Sequence, residues 1–311
     1  MGTRDPSELI TTLGSLVDVT ISNKLRDRHS VGLGALLLTT VAMLAFAGNS
    51  LLCRLALRPR AIDPTSFTLL RVVAGALTLS LLCARRPARA TVQAGSWRSA
   101  LALAGYAVAF ALAYVALDAA TGTLVLFGAV QVTMLAWGLA HGERPPRLAW
   151  VGFAAATAGL ALLLLPGVSA PDPAGLALMA VAGISWGVYS LRGRGVADPV
   201  AATASNFLRA GPLCLLASGA ALCFATPYFG LEGVVCACVS GAITSGLGYV
   251  IWYAAVRKLS ATQAAMAQLT VPVLAAVGGV ILLGEALSPR LLLSAVLVLG
   301  GVALAVLARR T

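Results

Sequence analysis

Ten apolar runs, each about as long as a bilayer-spanning helix and punctuated by Pro, Gly and charge clusters, constrain this chain more than any other feature. They fall at residues 31–57, 64–84, 97–117, 119–140, 147–165, 174–191, 200–224, 233–256, 260–283 and 289–308. Crossing the hydrocarbon core takes roughly 20 predominantly apolar residues at a helical rise of about 1.5 Å each. A chain of 311 residues is almost used up by ten such spans, which leaves no room for a soluble domain. Only 11% of the residues are charged and 59% are hydrophobic, against about 25% charged in a soluble domain. The pattern therefore predicts an all-α integral membrane protein of ten transmembrane helices. Residues 1–30, the only polar stretch of any length, read as a cytoplasmic tail that is either an amphipathic surface helix or disordered. The first apolar run is too long for a signal-peptide core and no small-residue cleavage site follows it, so it reads as a retained span.

A net charge of +11 invites a nucleic-acid partner, yet the basic residues lie in twos and threes between apolar runs and form no single basic face. They read as topology signals. With the N-terminus inside, the cytoplasmic loops and ends collect Arg4, Lys24, Arg26, Arg28, Arg85, Arg86, Arg89, Arg98, Arg144, Arg147, Arg192, Arg194, Arg257, Lys258, Arg309 and Arg310. The opposite side holds Arg54, Arg58, Arg60 and Arg290. Sixteen against four places both termini in the cytoplasm of a bacterial-type inner membrane and fits an even number of spans. The six cysteines, with no CxxC pair and two histidines in the whole chain, read as buried small hydrophobes, so no metal or cofactor is expected.

The chain also repeats itself. Gly142-Glu143-Arg144-Pro145-Pro146-Arg147 near the end of the fourth span answers Gly284-Glu285-Ala286-Leu287-Ser288-Pro289-Arg290 near the end of the ninth, and each is followed by a matching glycine, Gly159 and Gly301. Asp63-Pro64 pairs with Asp198-Pro199, Leu70-Arg71 with Leu208-Arg209, and Tyr114-Val115-Ala116 with Tyr253-Ala254-Ala255. These matches occur in the same order, which predicts two copies, residues 31–165 and 174–308. Five spans per copy is an odd number, so the second copy enters the membrane from the other side. Inverted repeats of this kind place a substrate site near the midplane and give alternating access by rocking of one half against the other.

The two halves resemble the drug/metabolite transporter superfamily, and within it the EamA-type ten-helix members. The resemblance is carried by Phe46-Ala47-Gly48-Asn49-Ser50, by Leu126-Phe127-Gly128-Ala129-Val130-Gln131, by the paired Gly-Glu turns and by Val271-Pro272-Val273. It covers about residues 31–308, and within the superfamily the chain looks most like YddG-type amino-acid exporters. That resemblance implies outward movement of aromatic and other neutral amino acids. Small-molecule cargo and the lipid bilayer are the expected partners, with no nucleic acid, and a monomer is the favoured state.

Polar groups inside hydrocarbon are costly, so those at mid-depth are the site candidates. Asn49 and Ser50, with Thr39, Met43 and Phe46, follow helical spacing in the first span; Tyr106, Phe110 and Tyr114 form a stripe in the third; Gln131 is central in the fourth. The second half offers Ser185, Trp186, Tyr189 and Ser190, then Thr244, Ser245, Tyr249 and Trp252, then Gln263, Gln268 and Thr270. Trp97, Trp150, Tyr228 and Tyr114 fit an interfacial belt instead. Arg71 and Arg209 are the cations well inside spans and either greet a substrate carboxylate from opposite sides or snorkel to the interface. Pro272 marks a candidate gate where the ninth span bends. Every acidic residue falls in the tail, a loop or a span end, and Glu143 and Glu285 read as helix-end turn residues. A proton antiporter needs a titratable group within the membrane, so an uncoupled facilitator is expected. A proton-coupled carrier, a nucleotide-sugar or organic-phosphate carrier and, more remotely, an intramembrane enzyme are the alternatives. Phosphate cargo calls for several cavity cations, and a serine hydrolase for a base such as histidine inside a span.

Overall fold

The computed structural model of the chain describes residues 33–57, 61–84, 87–140, 146–165, 170–193, 196–221, 223, 226–256 and 267–308. The tail 1–30, the Gly142-Glu143 turn and Gln263 lie outside them. The described chain is helical, apart from one isolated antiparallel bridge between Ile62 and Phe229. The helices are α1 (Leu33–Leu57), α2 (Pro64–Leu82), α3 (Ala88–Ala94), α4 (Trp97–Ala116), α5 (Ala119–Ala140), α6 (Arg147–Leu164), α7 (Pro173–Gly193) and α8 (Pro199–Ala221). A composite rod, α9, follows as Leu231–Val239, π-helical Ser240–Leu247 and Gly248–Val256, and then α10 (Thr270–Leu283) and α11 (Pro289–Ala308). Seven of these (α1, α2, α4, α5, α7, α8 and α9) are long and apolar enough to cross a membrane, while α6, α10 and α11 are apolar over shorter described stretches. Large apolar side chains such as Leu81, Leu216, Leu231 and Ile281 are more than 70% exposed on the outer surface. That surface suits lipid and no aqueous phase. Trp97, Trp150 and Tyr228 are likewise exposed, whereas Tyr114, expected in the interfacial belt, is 0% exposed and packed inside.

Helix starts are written into the sequence. Asp63 caps α2, its Oδ1 accepting from the backbone N of Thr65 (3.1 Å) and Ser66 (2.9 Å), with Pro64 at the first helical position. Asp198 does the same for α8 by accepting from Ala201 N at 3.1 Å, so the two Asp-Pro pairs have one local role. Ser96 caps α4 through Ser99 N (3.2 Å), and Asp172 caps α7 through Gly175 N (2.6 Å). At the other end of α10, Gly284 takes φ +64°, a left-handed conformation that suits glycine, and turns the chain so that Glu285 N bonds Gly279 O at 3.0 Å.

Packing pairs the helices in a regular way. α2 lies on α8 and α6 on α11; α4 and α5 both pack on α7, while α9 and α10 both pack on α1. Glycines set the α6–α11 contact from both sides: a Cβ on Gly159 would strike the Ser294 carbonyl, and one on Gly301 would strike the Gly152 carbonyl. Two features went unforeseen. α3 is a short helix between the second and third predicted spans, and the eighth span carries a π-helical segment in its middle.

Candidate functional site

The interior is organised around Asn49 of α1, which is 4% exposed. Its Oδ1 accepts from Ser240 Oγ at 2.7 Å, with Thr244 Oγ1 at 3.3 Å and Ser245 Oγ at 3.5 Å, and its Nδ2 donates to Tyr106 Oη at 3.2 Å. The π-helical turn makes this convergence possible. Five-residue spacing puts Ser240 and Ser245 on one face, where an α-helix would rotate them apart.

Arg71 of α2 enters the same network. Its Nε donates to Ser245 Oγ (3.1 Å) and its Nη2 to Tyr106 Oη (3.2 Å) and Tyr249 Oη (3.4 Å), while the guanidinium carbon lies 5.1 Å from the ring centroids of both Tyr106 and Phe110. Arg71 is 2% exposed and its Nη1 has no partner among the described residues. The ion pairs among the described residues are both made by Arg54, none by Arg71. Taking a cation out of water costs several kcal/mol, and here only hydroxyls and ring faces offset it. The backbone crossing behind it is tight: a Cβ on Gly241 would strike the Arg71 carbonyl.

Aromatic rings close the space in front. Phe46 meets Trp186, Tyr249 and Trp252 edge-on at 5.9, 6.0 and 5.7 Å, and Trp186 packs on Tyr249 (4.8 Å) and Tyr106 (5.1 Å). The cavity they leave is about 10 Å³, the room of a single water. It is lined by Asn49, Ser50, Tyr106, Trp186 and Tyr249 from the expected set, with Phe46, Phe110, Leu126 and Phe127. Tyr189 packs against Trp186 at 5.6 Å, and Trp252 backs Phe46.

The remaining expected residues lie elsewhere. Gln131 and Gln268 are buried, each with one amide atom unpartnered among the described residues, and neither lines this cavity. Arg209 is not the spatial equal of Arg71. It bonds Ser205 Oγ and the Val92 carbonyl (2.9 Å) and lies 5.8 Å from the Trp97 ring, so it pins α3 to α8. On α8 the inward place is taken by Phe207, 5.9 Å from Tyr249. Pro272 sits in an apolar crevice with Leu124 and Leu291.

At the end of α1 stands a cluster that charge counting had treated only as topology. Arg54 Nε pairs with Glu285 Oε1 at 3.1 Å, Nη2 with Asp118 Oδ1 at 3.1 Å, and Nη1 donates to the Tyr114 carbonyl at 3.0 Å. Glu285 turns inward, its side chain 4% exposed, and its Oε2 accepts from Ala119 N at 2.9 Å at the start of α5. One helix length away, at the start of α4, lies an open vestibule of about 220 Å³ lined by Ser96, Ser99, Tyr189, Arg192, Thr203 and Asn206 among others. α4 thus runs from Ser99 at the vestibule past Tyr106 and Phe110 at the cavity to Tyr114 beneath the Arg54 cluster. Ser240, Arg54 and Asp118 are the participants that sequence reasoning passed over. The signal available was the position of Arg54 in the last turn of α1, beside the Gly-Glu repeat in space but 231 residues from Glu285 in the chain.

Residues 173–307 match the EamA-like transporter family. An uncharacterized protein of Pseudomonas aeruginosa is 54% identical over 272 residues, covering 86% of this chain and 93% of that one. Residues 173–307 form an EamA-like transporter domain. An uncharacterized transporter of Archaeoglobus fulgidus is 28% identical to this EamA-like protein over 253 residues, 78% of this chain and 86% of that one. A crystal structure superimposes with a TM-score of 0.61 at 20% identity, over 89% of this chain and 99% of the other, which speaks for the fold alone. The EamA-like chain is accordingly a multi-pass membrane protein of a transporter family.

Proposed function

We propose that this EamA-like protein exports small metabolites, neutral or aromatic amino acids, across a bacterial-type inner membrane by alternating access as an uncoupled facilitator. In this reading ten transmembrane helices form two inverted five-helix repeats, 31–165 and 174–308, with both termini cytoplasmic and the monomer as the working unit. The pairwise packing supports the repeat: exchanging α1 with α7, α2 with α8, α4 with α9, α5 with α10 and α6 with α11 carries each main contact onto another. The charge alternation of the sequence puts the Arg192 vestibule inside and the Arg54 cluster outside. The YddG-like subtype rests on the sequence resemblance.

The observation that carries the cargo class is Arg71, a buried cation with no carboxylate partner among the described residues, set beside an aromatic box. A zwitterion with an apolar or aromatic side chain supplies both the missing carboxylate and a ring for Trp186 and Phe46. Asn49, Ser50, Tyr106 and Tyr249 supply neutral hydrogen bonds. Counterflow of labelled phenylalanine into liposomes loaded with unlabelled phenylalanine tests the reading. Uptake that survives a protonophore at fixed substrate gradient is expected.

A second reading, a proton-coupled carrier, is favoured by one observation: Glu285 is a nearly fully buried carboxylate in the Arg54 cluster. Its bonds to Arg54 and Ala119 N tie it into the Arg54 clamp and weigh for the uncoupled carrier. Transport abolished by a protonophore in the same assay would transfer the case to Glu285.

A further inference from the structure

The vestibule at the start of α4 is more than a passage. Its rim carries Arg192, whose Nε and Nη2 donate to Ser99 Oγ (3.0 Å) and Ser96 Oγ (3.2 Å), while none of the described residues lining it is acidic. A guanidinium has five N–H donors, and two nitrogens resting on hydroxyls leave donors for a further acceptor. Asp198, near by in the chain, turns its Oδ1 to Ala201 N and does not line the vestibule.

The floor carries a second, independent sign. Tyr189 is 2% exposed and lines the vestibule, yet its hydroxyl has no hydrogen-bond partner among the described residues. Thr203, Asn206 and Tyr253 line the same space and lie near this hydroxyl, but Thr203 donates to the Pro199 carbonyl (2.7 Å), Asn206 Oδ1 accepts from Ser96 N (2.9 Å), and none of the three meets the Tyr189 hydroxyl in hydrogen-bond geometry. Leaving a buried phenol unpaired is costly, and a ligand acceptor removes that cost.

We propose that Arg192 and Tyr189 form a second binding station, peripheral to the central cavity, for the carboxylate of a small organic acid or amino acid. One guanidinium and one phenol supply N–H and O–H donors to the oxygens of a single carboxylate, and a phosphate calls for more cations than are present. The volume of about 220 Å³ lies below the range of drug-sized pockets, so the occupant is a small metabolite. Tyr189 also packs on Trp186, a wall of the central cavity. A molecule held at the vestibule therefore touches the partition it must pass. This inference rests on the proposed carriage of carboxylate-bearing metabolites, and it adds a site that reading does not require.

Equilibrium dialysis of the purified full-length protein in nanodiscs, with labelled benzoate and labelled phenylalanine as separate probes, tests it. Two classes of site are expected in the wild type. Arg192→Gln and the milder Tyr189→Phe should each weaken one class by about tenfold or more and leave the other, which Arg71→Gln removes; monodisperse elution verifies folding of each variant. Inorganic phosphate should not displace benzoate. A single class of site unaffected by Arg192→Gln and Tyr189→Phe, no binding of either probe, or displacement by phosphate in preference to carboxylate would overturn the station. Benzoate bound in an Arg192-dependent manner without phenylalanine counterflow would sustain the station and defeat the amino-acid cargo.

Discussion

Arg54 and Glu285 stand 231 positions apart in the chain and meet at 3.1 Å. Their contact joins the last turn of α1 to the turn after α10, and through Asp118 and Ala119 N it also holds the start of α5. Two ion pairs on one guanidinium thus gather three elements. Directly behind it lie Tyr114 and Cys53, both 0% exposed.

Breaking this clamp should unseal its end of the protein. Glu285→Ala takes from Arg54 its buried partner and leaves it the half-exposed Asp118; losing one side of a buried pair costs up to about 3–5 kcal/mol. Cys53 then reports the opening. With the other cysteines replaced by serine, a membrane-impermeant maleimide applied from the Arg54 side should label Cys53 at least about tenfold faster than in the intact protein. Equal labelling rates would remove Glu285 from any closing role.

Arg71 should matter for cargo and not for folding. Replacing a buried, uncompensated charge by an apolar chain of similar length is often neutral or stabilising by about 1–4 kcal/mol. Arg71→Met should therefore keep or raise the melting temperature in detergent while phenylalanine counterflow falls by tenfold or more. A lowered melting temperature together with retained counterflow would mark Arg71 as structural.

The loop junction at Asp63 should give the protein an acid limb. Burial alone would push the Asp63 carboxyl up, but hydrogen bonds from Ser66, Thr65 and the Tyr228 backbone outweigh it and hold it below its ordinary value. A depressed folded-state pKa contributes stability that is present above the unfolded value of about 3.9 and is lost as pH falls through the folded value. Asp63→Ala should cost about 0.5–2 kcal/mol near pH 7, the usual worth of a helix cap. The gap between variant and wild type should close as melting curves are taken down toward pH 3; a gap independent of pH would exclude the carboxylate as its source.

The α6–α11 seam should reject bulk. Gly301→Leu drives a side chain into the Gly152 carbonyl and Ala156 N, and overpacking of this kind costs about 1–3 kcal/mol or more. The same replacement at Gly300, where a Cβ has open space, should be near neutral. Equal melting temperatures for the two variants would contradict the seam.

Much of the scaffold was legible because it follows from periodicity and local chemistry. Apolar runs marked the helices, and Asp63-Pro64 and Asp198-Pro199 marked two starts, since a capping carboxylate followed by proline is a local device. The aromatic stripe Tyr106, Phe110 and Tyr114 was legible by its four-residue spacing. The π-helical turn was not, because Ser240–Leu247 has no composition that separates it from an α-helix; its signature is the convergence on Asn49, a tertiary fact. Arg209 misled because repeat matching aligns sequence registers and cannot say which side of the helix meets the centre; Phe207 took that side. Arg54 and Glu285 escaped for the opposite reason. Each looked like an ordinary helix-end residue, and only the folding-back of the turn after Gly284 brings them together.

The last turns of α1 and α7 each carry one arginine, Arg54 and Arg192. One is bolted between two carboxylates; the other leans on two serine hydroxyls at the edge of an open chamber. In the proposed inverted-repeat carrier these are two copies of one door, and an airlock so built needs no separate motor. The difference between the doors is one ion-paired guanidinium against one hydroxyl-bound guanidinium, a matter of a few kcal/mol. That is the scale on which a single passenger molecule can decide which door stands ajar.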